Sequence, residues 1–267
     1  MKNEAIGIIG CGNMGGAIIS MLAHSCGITK KNLFVYDVDK VKAVAFSKCA
    51  TRVSSLKLLV EKSRIIIIGV KPQMLEVSLA GVDNELLRKK LIVSILAGIT
   101  LKRLNAVCGN HVAIVRTMPN LALCQGEGMT CLCKNRHVSK KDIGIIDKIF
   151  SAGGETLVLN EKHFDLVTAI SGSGPAYFFH LAECLVAEAF AGGLSRKQAS
   201  LLASQTLIGS GAVLSGDDAS PEEWRARVTS KGGTTEAALS VMMSSKYKKM
   251  IKRAVNKACA RSHALSK

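Results

Sequence analysis

Aromatic side chains are scarce in this chain of 267 residues: three Tyr, seven Phe and one Trp make up 4% of it. A core must therefore be aliphatic, and there is little material for stacking nucleic-acid bases. Acids are scarce as well. Twenty Asp and Glu stand against 36 Lys and Arg, a formal charge of +16, which would suit a nucleic acid, an acidic membrane surface or small anions. Eight of those cations and no acid lie between Lys246 and Lys267, where a solvated terminal helix with cations near its negative dipole end accounts for them. No nucleic-acid motif is present. Paired cysteine motifs are missing too: nine cysteines are an odd number, and the nearest pair, Cys131 and Cys133, is a C-x-C. That pattern fits free thiols in a reducing cytoplasm, and neither a disulfide framework nor a metal site. The six histidines carry no ligand spacing.

Charge is absent altogether from Ala5 to Thr29, 25 residues without one Lys, Arg, Asp or Glu, a length that would cross a bilayer. Glycine argues against a span or a signal peptide, since Gly10, Gly12, Gly15 and Gly16 interrupt the apolar run. The pattern predicts a strand over Ala5 to Ile9, a turn, and a helix over Met14 to Cys26. Within it Gly10, Gly12 and Gly15 make G-x-G-x-x-G: a tight turn, a close backbone approach to a pyrophosphate, and close helix-to-strand packing. Free N–H groups at the helix start would face the phosphates. A second strand, Leu33 to Tyr36, ends at Asp37, 22 residues beyond the last glycine, where a carboxylate can accept from an adenosine ribose.

The length allows one large or two smaller domains. Strands are expected at Ile65 to Val70, Leu91 to Leu96 and Val112 to Val115, with helical segments over Leu75 to Leu87 and Leu101 to Val107. Met129 to Leu132 and Glu155 to Leu159 are expected as two edge strands around a helix at Lys140 to Phe150. The fold class is α/β: a doubly wound sheet over residues 1–160, followed by an all-α domain over residues 161–267. The strand ends carry Val70-Lys71-Pro72, Ala97-Gly98 and Met118-Pro119-Asn120, a cofactor cleft on one sheet edge.

In the second half, helices are expected over Pro175 to Ala191, Arg196 to Leu214, Pro221 to Val228, Thr234 to Ser244 and Tyr247 to Ala260. The uncharged run between Lys197 and Asp217 reads as a helix buried between two subunits, hence a dimer. In "VTSKGGTTEAAL", Gly232 and Gly233 precede a helix start of Thr234, Thr235 and Glu236, whose N–H groups and hydroxyls could hold a substrate carboxylate. "SGSGPAY" at Ser171 to Tyr177 starts the long helix similarly. A Ser-His-Asp hydrolase is disfavoured, because Ser173 lies in G-S-G and not in a G-x-S-x-G elbow. Hydride transfer to a C=N bond fits better, since a protonated imine needs positioning more than a strong acid, and a Thr hydroxyl suffices.

These motifs resemble the pyrroline-5-carboxylate reductase family: "GIIGCGNMGGAI", "GVKPQML", "SILAGIT", "RTMPN", "AISGSGPAYFF" and "VTSKGGTTEAAL" stand in family order over nearly the whole chain. The resemblance implies an N-terminal Rossmann domain for nicotinamide dinucleotide and a C-terminal helical domain for substrate binding and dimerisation, often in rings of dimers. It implies reduction of 1-pyrroline-5-carboxylate to proline by NAD(P)H. By position, Gly10, Gly12, Asn13, Met14 and Gly15 would hold the pyrophosphate. Val70, Lys71 and Pro72 would lie along the adenosine and ribose, and Ala97 and Gly98 would approach the nicotinamide. Gly232, Gly233, Thr234 and Thr235 would receive the substrate carboxylate, with Thr235 beside the imine nitrogen as the catalytic hydroxyl; Asn120 and Ser173 are further substrate-binding candidates.

Two departures matter. Asp37-Val38-Asp39 stands where many members carry a small polar or basic pair for NADPH, so the chain is expected to favour NADH. Lys231 stands where the family usually has Pro. The rivals are a reductase of a related cyclic imine, a non-catalytic dinucleotide binder, and a beta-hydroxyacid dehydrogenase, whose helix-opening lysine position holds Phe178 here.

Overall fold

The computed structural model describes residues 4–216 and 218–265. The chain divides into two compact units, Met1–Ser173 together with Ala258–Lys267, and Gly174–Lys257.

The first unit is built on eight strands: β1 (Ile6–Ile9), β2 (Leu33–Tyr36), β3 (Thr51–Arg52), β4 (Ile65–Ile68), β5 (Leu91–Ser94), β6 (Ala113–Met118), β7 (Gly128–Lys134) and β8 (Gly154–Val158). Their order is β3-β2-β1-β4-β5-β6-β7-β8. The first six are mutually parallel, β7 runs antiparallel to β6, and β8 is parallel to β7. Only β8 is therefore an edge on that side. The expectation of two edge strands is corrected: β7 pairs with β6 on one side and β8 on the other, and its consecutive residues Cys131, Leu132 and Cys133 are buried, so both its faces are covered as well.

Burial on both faces explains why the strands read as unbroken aliphatic runs. In β4, Ile65 and Ile67 join one core cluster and Ile66 and Ile68 the other, as the two-residue period of a strand requires. The first face is covered by α1 (Asn13–His24), α2 (Lys40–Val44) and α7 (Lys140–Phe150). The second is covered by α3 (Leu56–Lys62), α4 (Leu75–Ser78), α5 (Asn84–Leu87), α6 (Leu101–Cys108) and α8 (Phe164–Val167). The single helical segment expected over Leu75 to Leu87 is two short helices, since Asp83 caps α5 by accepting from the Glu85 N–H. The helices α2 and α3 and the short strand β3 are not among the elements that the sequence pattern predicts.

The compact unit runs past residue 160, where the sequence suggested a domain boundary. Arg116 on β6 is buried, donates to Glu161 at 2.8 Å and lies 4.7 Å from the Phe164 ring centroid. The same Glu161 oxygen accepts from the Leu101 N–H at the start of α6, 2.7 Å. Phe164 and Val167 then enter the second core cluster. A buried guanidinium that lost this partner would cost about 3–5 kcal/mol, so the segment at 161–173 is held to the sheet. The end of the chain joins it through Ser262, which donates to Asp165 at 2.6 Å.

The second unit holds α9 (Gly174–Ala191), α10 (Arg196–Gly216), α11 (Pro221–Arg227), α12 (Thr234–Met242) and most of α13 (Ser245–Leu265). A short turn joins α9 to α10, and the two pack together. Among its described residues only Gly174, Ala199 and Ala203 are buried, whereas Phe178, Phe179, Leu201 and Ile208 are each more than half exposed. No helix among the described residues is long and apolar enough to cross a membrane; Asp217, which bounds the uncharged run of α10, lies outside them.

All nine cysteines are free. Burial is the main force pushing the Cys11, Cys108 and Cys133 thiols from an ordinary 9.0 up to about 12. The unfolded chain would release these protons near the ordinary thiol value while the folded chain keeps them. Their contribution to stability is thus complete below about pH 8.5 and is lost as pH rises toward 12. Urea midpoints are expected to fall between about pH 7 and about pH 10, and less steeply in Cys108→Ala; an identical slope in that variant would remove Cys108 from the effect.

Candidate dinucleotide and substrate sites

After β1 the chain moves outward to β2 and β3 and returns as β4 on the other side of β1. Ligands of open parallel sheets bind at such a reversal, beyond the carboxyl ends of the strands. Here that place is the turn 10–12. Gly10 has φ +96, and a Cβ on it would come within 2.7 Å of the Gly69 carbonyl oxygen. A Cβ on Gly15 would collide with the carbonyl oxygen of Gly10, which lets α1 start hard against the strand. A Cβ on Gly12 would meet nothing within 4 Å, so the backbone there is open to a ligand.

The start of α1 has no side-chain cap and no acid in its first turn. The first intrahelical bond runs from the Gly16 N–H to the Gly12 carbonyl, 2.7 Å, which leaves the N–H groups of Asn13, Met14 and Gly15 without helical partners. Three convergent donors at a positive dipole end make an anion cradle. The structure thus fits a dinucleotide pyrophosphate on its own terms.

Beside the cradle lies a cleft of about 370 Å³ whose walls include Gly10, Gly12, Asp37, Val70 and Lys71. Sequence reasoning missed Tyr36, Lys42, Leu56, Met74 and Ser78, which also line it. Lys42 was legible in principle: Asp39 caps α2, accepting from the Val41 N–H at 3.0 Å, and a capped helix after β2 brings its first turn to the strand end. Lys42 also lies 3.6 Å from Asp39. Asp37 accepts twice from the backbone, from the Cys11 N–H at 2.7 Å and the Asp39 N–H at 2.8 Å. Pro72 opens a short 3-10 turn behind Lys71. A larger groove of about 810 Å³ runs along α1 and carries Asn13, but it lacks both Gly10 and Asp37.

The other expected residues do not line the cleft. Gly98 packs against Leu265 at the end of α13, whose Cβ would stand 2.6 Å from a Cβ on Gly98. Asn120 uses both ends of its amide as a brace, donating to the Ser171 carbonyl at 3.1 Å and accepting from the Met129 N–H at 3.2 Å. Ser173 closes a π-helical turn over Thr168–Gly172, its N–H donating to the Thr168 carbonyl at 2.8 Å.

In the helical unit, Gly232 has φ +72 and makes the turn before α12. The loop keeps the helix-start donors open and uses those of its two glycines internally. The Gly232 N–H already donates to Glu236 at 2.7 Å, and the Gly233 N–H to the Ser230 carbonyl at 3.0 Å. The uncommitted helical donors are therefore the N–H groups of Thr234, Thr235 and Glu236, since the first helical bond is from Ala237 to Gly233. The glycines shape the loop, and the threonines offer the donors.

Residues 161–265 match the family model for pyrroline-5-carboxylate reductase dimerisation, and residues 5–98 match that for coenzyme F420-dependent NADP oxidoreductases. The pyrroline-5-carboxylate reductase of Methanosarcina acetivorans is 32% identical, with the whole of both chains covered. The chain belongs to the pyrroline-5-carboxylate reductase family. Crystal structures agree: the Plasmodium falciparum pyrroline carboxylate reductase with NADP bound shares 31% identity at a TM-score of 0.89, covering all of both chains. The Coxiella burnetii pyrroline-5-carboxylate reductase shares 29% at 0.92, covering 99% of each. As in its family, the helical half is a dimerisation region, which explains the apolar surface of α9 and α10.

Gly15→Ala is expected to raise the dissociation constant for NADH and NADPH at least tenfold, because the added methyl must push α1 off the Gly10 carbonyl. Titration of nicotinamide fluorescence measures it; unchanged affinity would show that the close approach is dispensable.

Proposed function

We propose that this protein reduces the C=N bond of 1-pyrroline-5-carboxylate with hydride from NAD(P)H, giving proline. The observation that carries the reading is the uncapped start of α1, open at Gly12 and flanked by Asp37 at the sheet reversal, in a chain alike over its whole length to reductases of that name.

The bound nicotinamide supplies the hydride. The chain supplies binding and orientation. N–H groups of Asn13, Met14 and Gly15 take the pyrophosphate, with Gly10 and Gly12 keeping the way clear. Asp37 reads the adenosine ribose, and a 2′-phosphate beside its carboxylate would be repelled, so NADH is favoured. Val70, Lys71 and Pro72 border the adenosine and ribose side, and Ala97 and Gly98 the nicotinamide side. Residues 161–267 form the substrate and dimerisation domain. The Gly232 to Thr235 loop holds the substrate carboxylate through the N–H groups of Thr234 and Thr235, and the Thr235 hydroxyl orients the imine nitrogen or donates to it. Asn120 and Ser173 are further substrate-binding residues. Dimers join into a ring, and nine free thiols suit work in the cytoplasm.

Nicotinamide absorbance with 1-pyrroline-5-carboxylate and NADH or NADPH in parallel tests the reading. Rapid loss with NADH supports reaction and cofactor preference together, whereas loss with NADPH only would overturn the preference. No oxidation with either, in a chain that binds dinucleotide, would overturn the substrate. Thr235→Ala is expected to lower kcat about a hundredfold and to leave NADH affinity intact; equal turnover would take Thr235 out of the mechanism. In Asp37→Ser the ratio of kcat/KM for NADPH over NADH is expected to rise, and a constant ratio would place ribose reading elsewhere.

A further inference from the structure

The carboxylate at the end of β2 touches the phosphate loop itself. Asp37 Oδ2 lies 2.7 Å from the N–H of Cys11, the middle residue of Gly10-Cys11-Gly12, and the preceding N–H, that of Gly10, donates to the Tyr36 carbonyl at 2.9 Å. Two successive loop N–H groups are thus anchored on two successive residues at one strand end. Oδ1 meanwhile holds the Asp39 N–H at 2.8 Å, just before α2. With one oxygen on each side, the carboxylate is fixed between the phosphate loop and the first turn after β2. The Cys11 side chain is buried, its thiol pushed up by burial first and by the Asp37 charge second.

We propose that Asp37 is a positioning residue of the phosphate loop as well as the reader of the ribose: its hydrogen bond to the Cys11 N–H holds the loop in the form that leaves the N–H groups of Asn13, Met14 and Gly15 free for an anion. The inference rests on reading the cleft as a dinucleotide site. It has a consequence for specificity, because any substitution at Asp37 that admits a 2′-phosphate also loosens the cradle that must hold the pyrophosphate. Exchange of this residue alone then changes the preference between cofactors while weakening both.

Inorganic pyrophosphate is the discriminating probe, since it carries no ribose. Asp37→Asn and Asp37→Ser both remove the charge, but the amide keeps one acceptor oxygen at nearly the original reach and the serine does not. Calorimetric titration of the full chain is expected to give pyrophosphate binding about fivefold tighter in Asp37→Asn than in Asp37→Ser, the worth of one hydrogen bond. Equal affinity in the two would overturn the proposal while leaving ribose reading, judged by the NADPH to NADH ratio, untouched. The unsubstituted protein offers a second measurement that needs no variant to fold. Its Cys11 amide is expected to exchange with deuterium slowly without any ligand, at a rate comparable to that of Gly10, and fast exchange of Cys11 beside a slow Gly10 would also overturn it.

Discussion

The sheet-bearing unit is organised by a set of backbone donors that the helix cannot satisfy. A helix must begin somewhere, and its first N–H groups then need water or a ligand. The structure places this unavoidable deficit at the point where strand order reverses, has no Cβ at positions 10, 12 and 15, and leaves the first turn of α1 without acid. Chemistry at this edge follows from that arrangement: an anion is attracted by the same geometry that shortens the β1 to α1 connection. Gly10 and Gly15 are therefore required twice, once for packing and once for what the packing leaves open.

A second constraint lies on the other side of the sheet. Arg116, Glu161 and the Leu101 N–H meet at one carboxylate oxygen, and Asn120 links the ends of β6 and β7 to the turn at Ser171. Between them these groups tie the loops after β5 and β6 to the segment that leads into α9. Loops expected at the substrate are thus fixed by polar bonds within the same unit, and the residues that hold them are not all residues that touch a ligand. The Asn120 amide is engaged at both ends and so holds its loop in place whatever else it meets.

Much of this was legible in the sequence. The isoleucine run of β4 and the glycine spacing declared a buried parallel strand and a close turn, because burial on both faces and a missing Cβ leave direct traces in residue type. That the sheet unit continues to Ser173 was not legible: Arg116 and Glu161 lie 45 residues apart, and nothing local announces that a charged pair will draw Phe164 into the core. Lys42 was hidden for a similar reason, as α2 is short and its cap had to be recognised before its first turn could be placed. The loop before α12 declares its helix-start donors in the sequence, but not that Glu236 and Ser230 occupy the N–H groups of Gly232 and Gly233. Which donor is already taken is a three-dimensional fact, and residue type alone does not carry it.

The helical unit buries only Gly174, Ala199 and Ala203 among its described residues and leaves Phe178, Phe179, Leu201 and Ile208 largely uncovered. A protein whose dimerisation half lacks an interior of its own makes fold a property of abundance, because association supplies the missing burial by mass action. Dilution then acts as a denaturant.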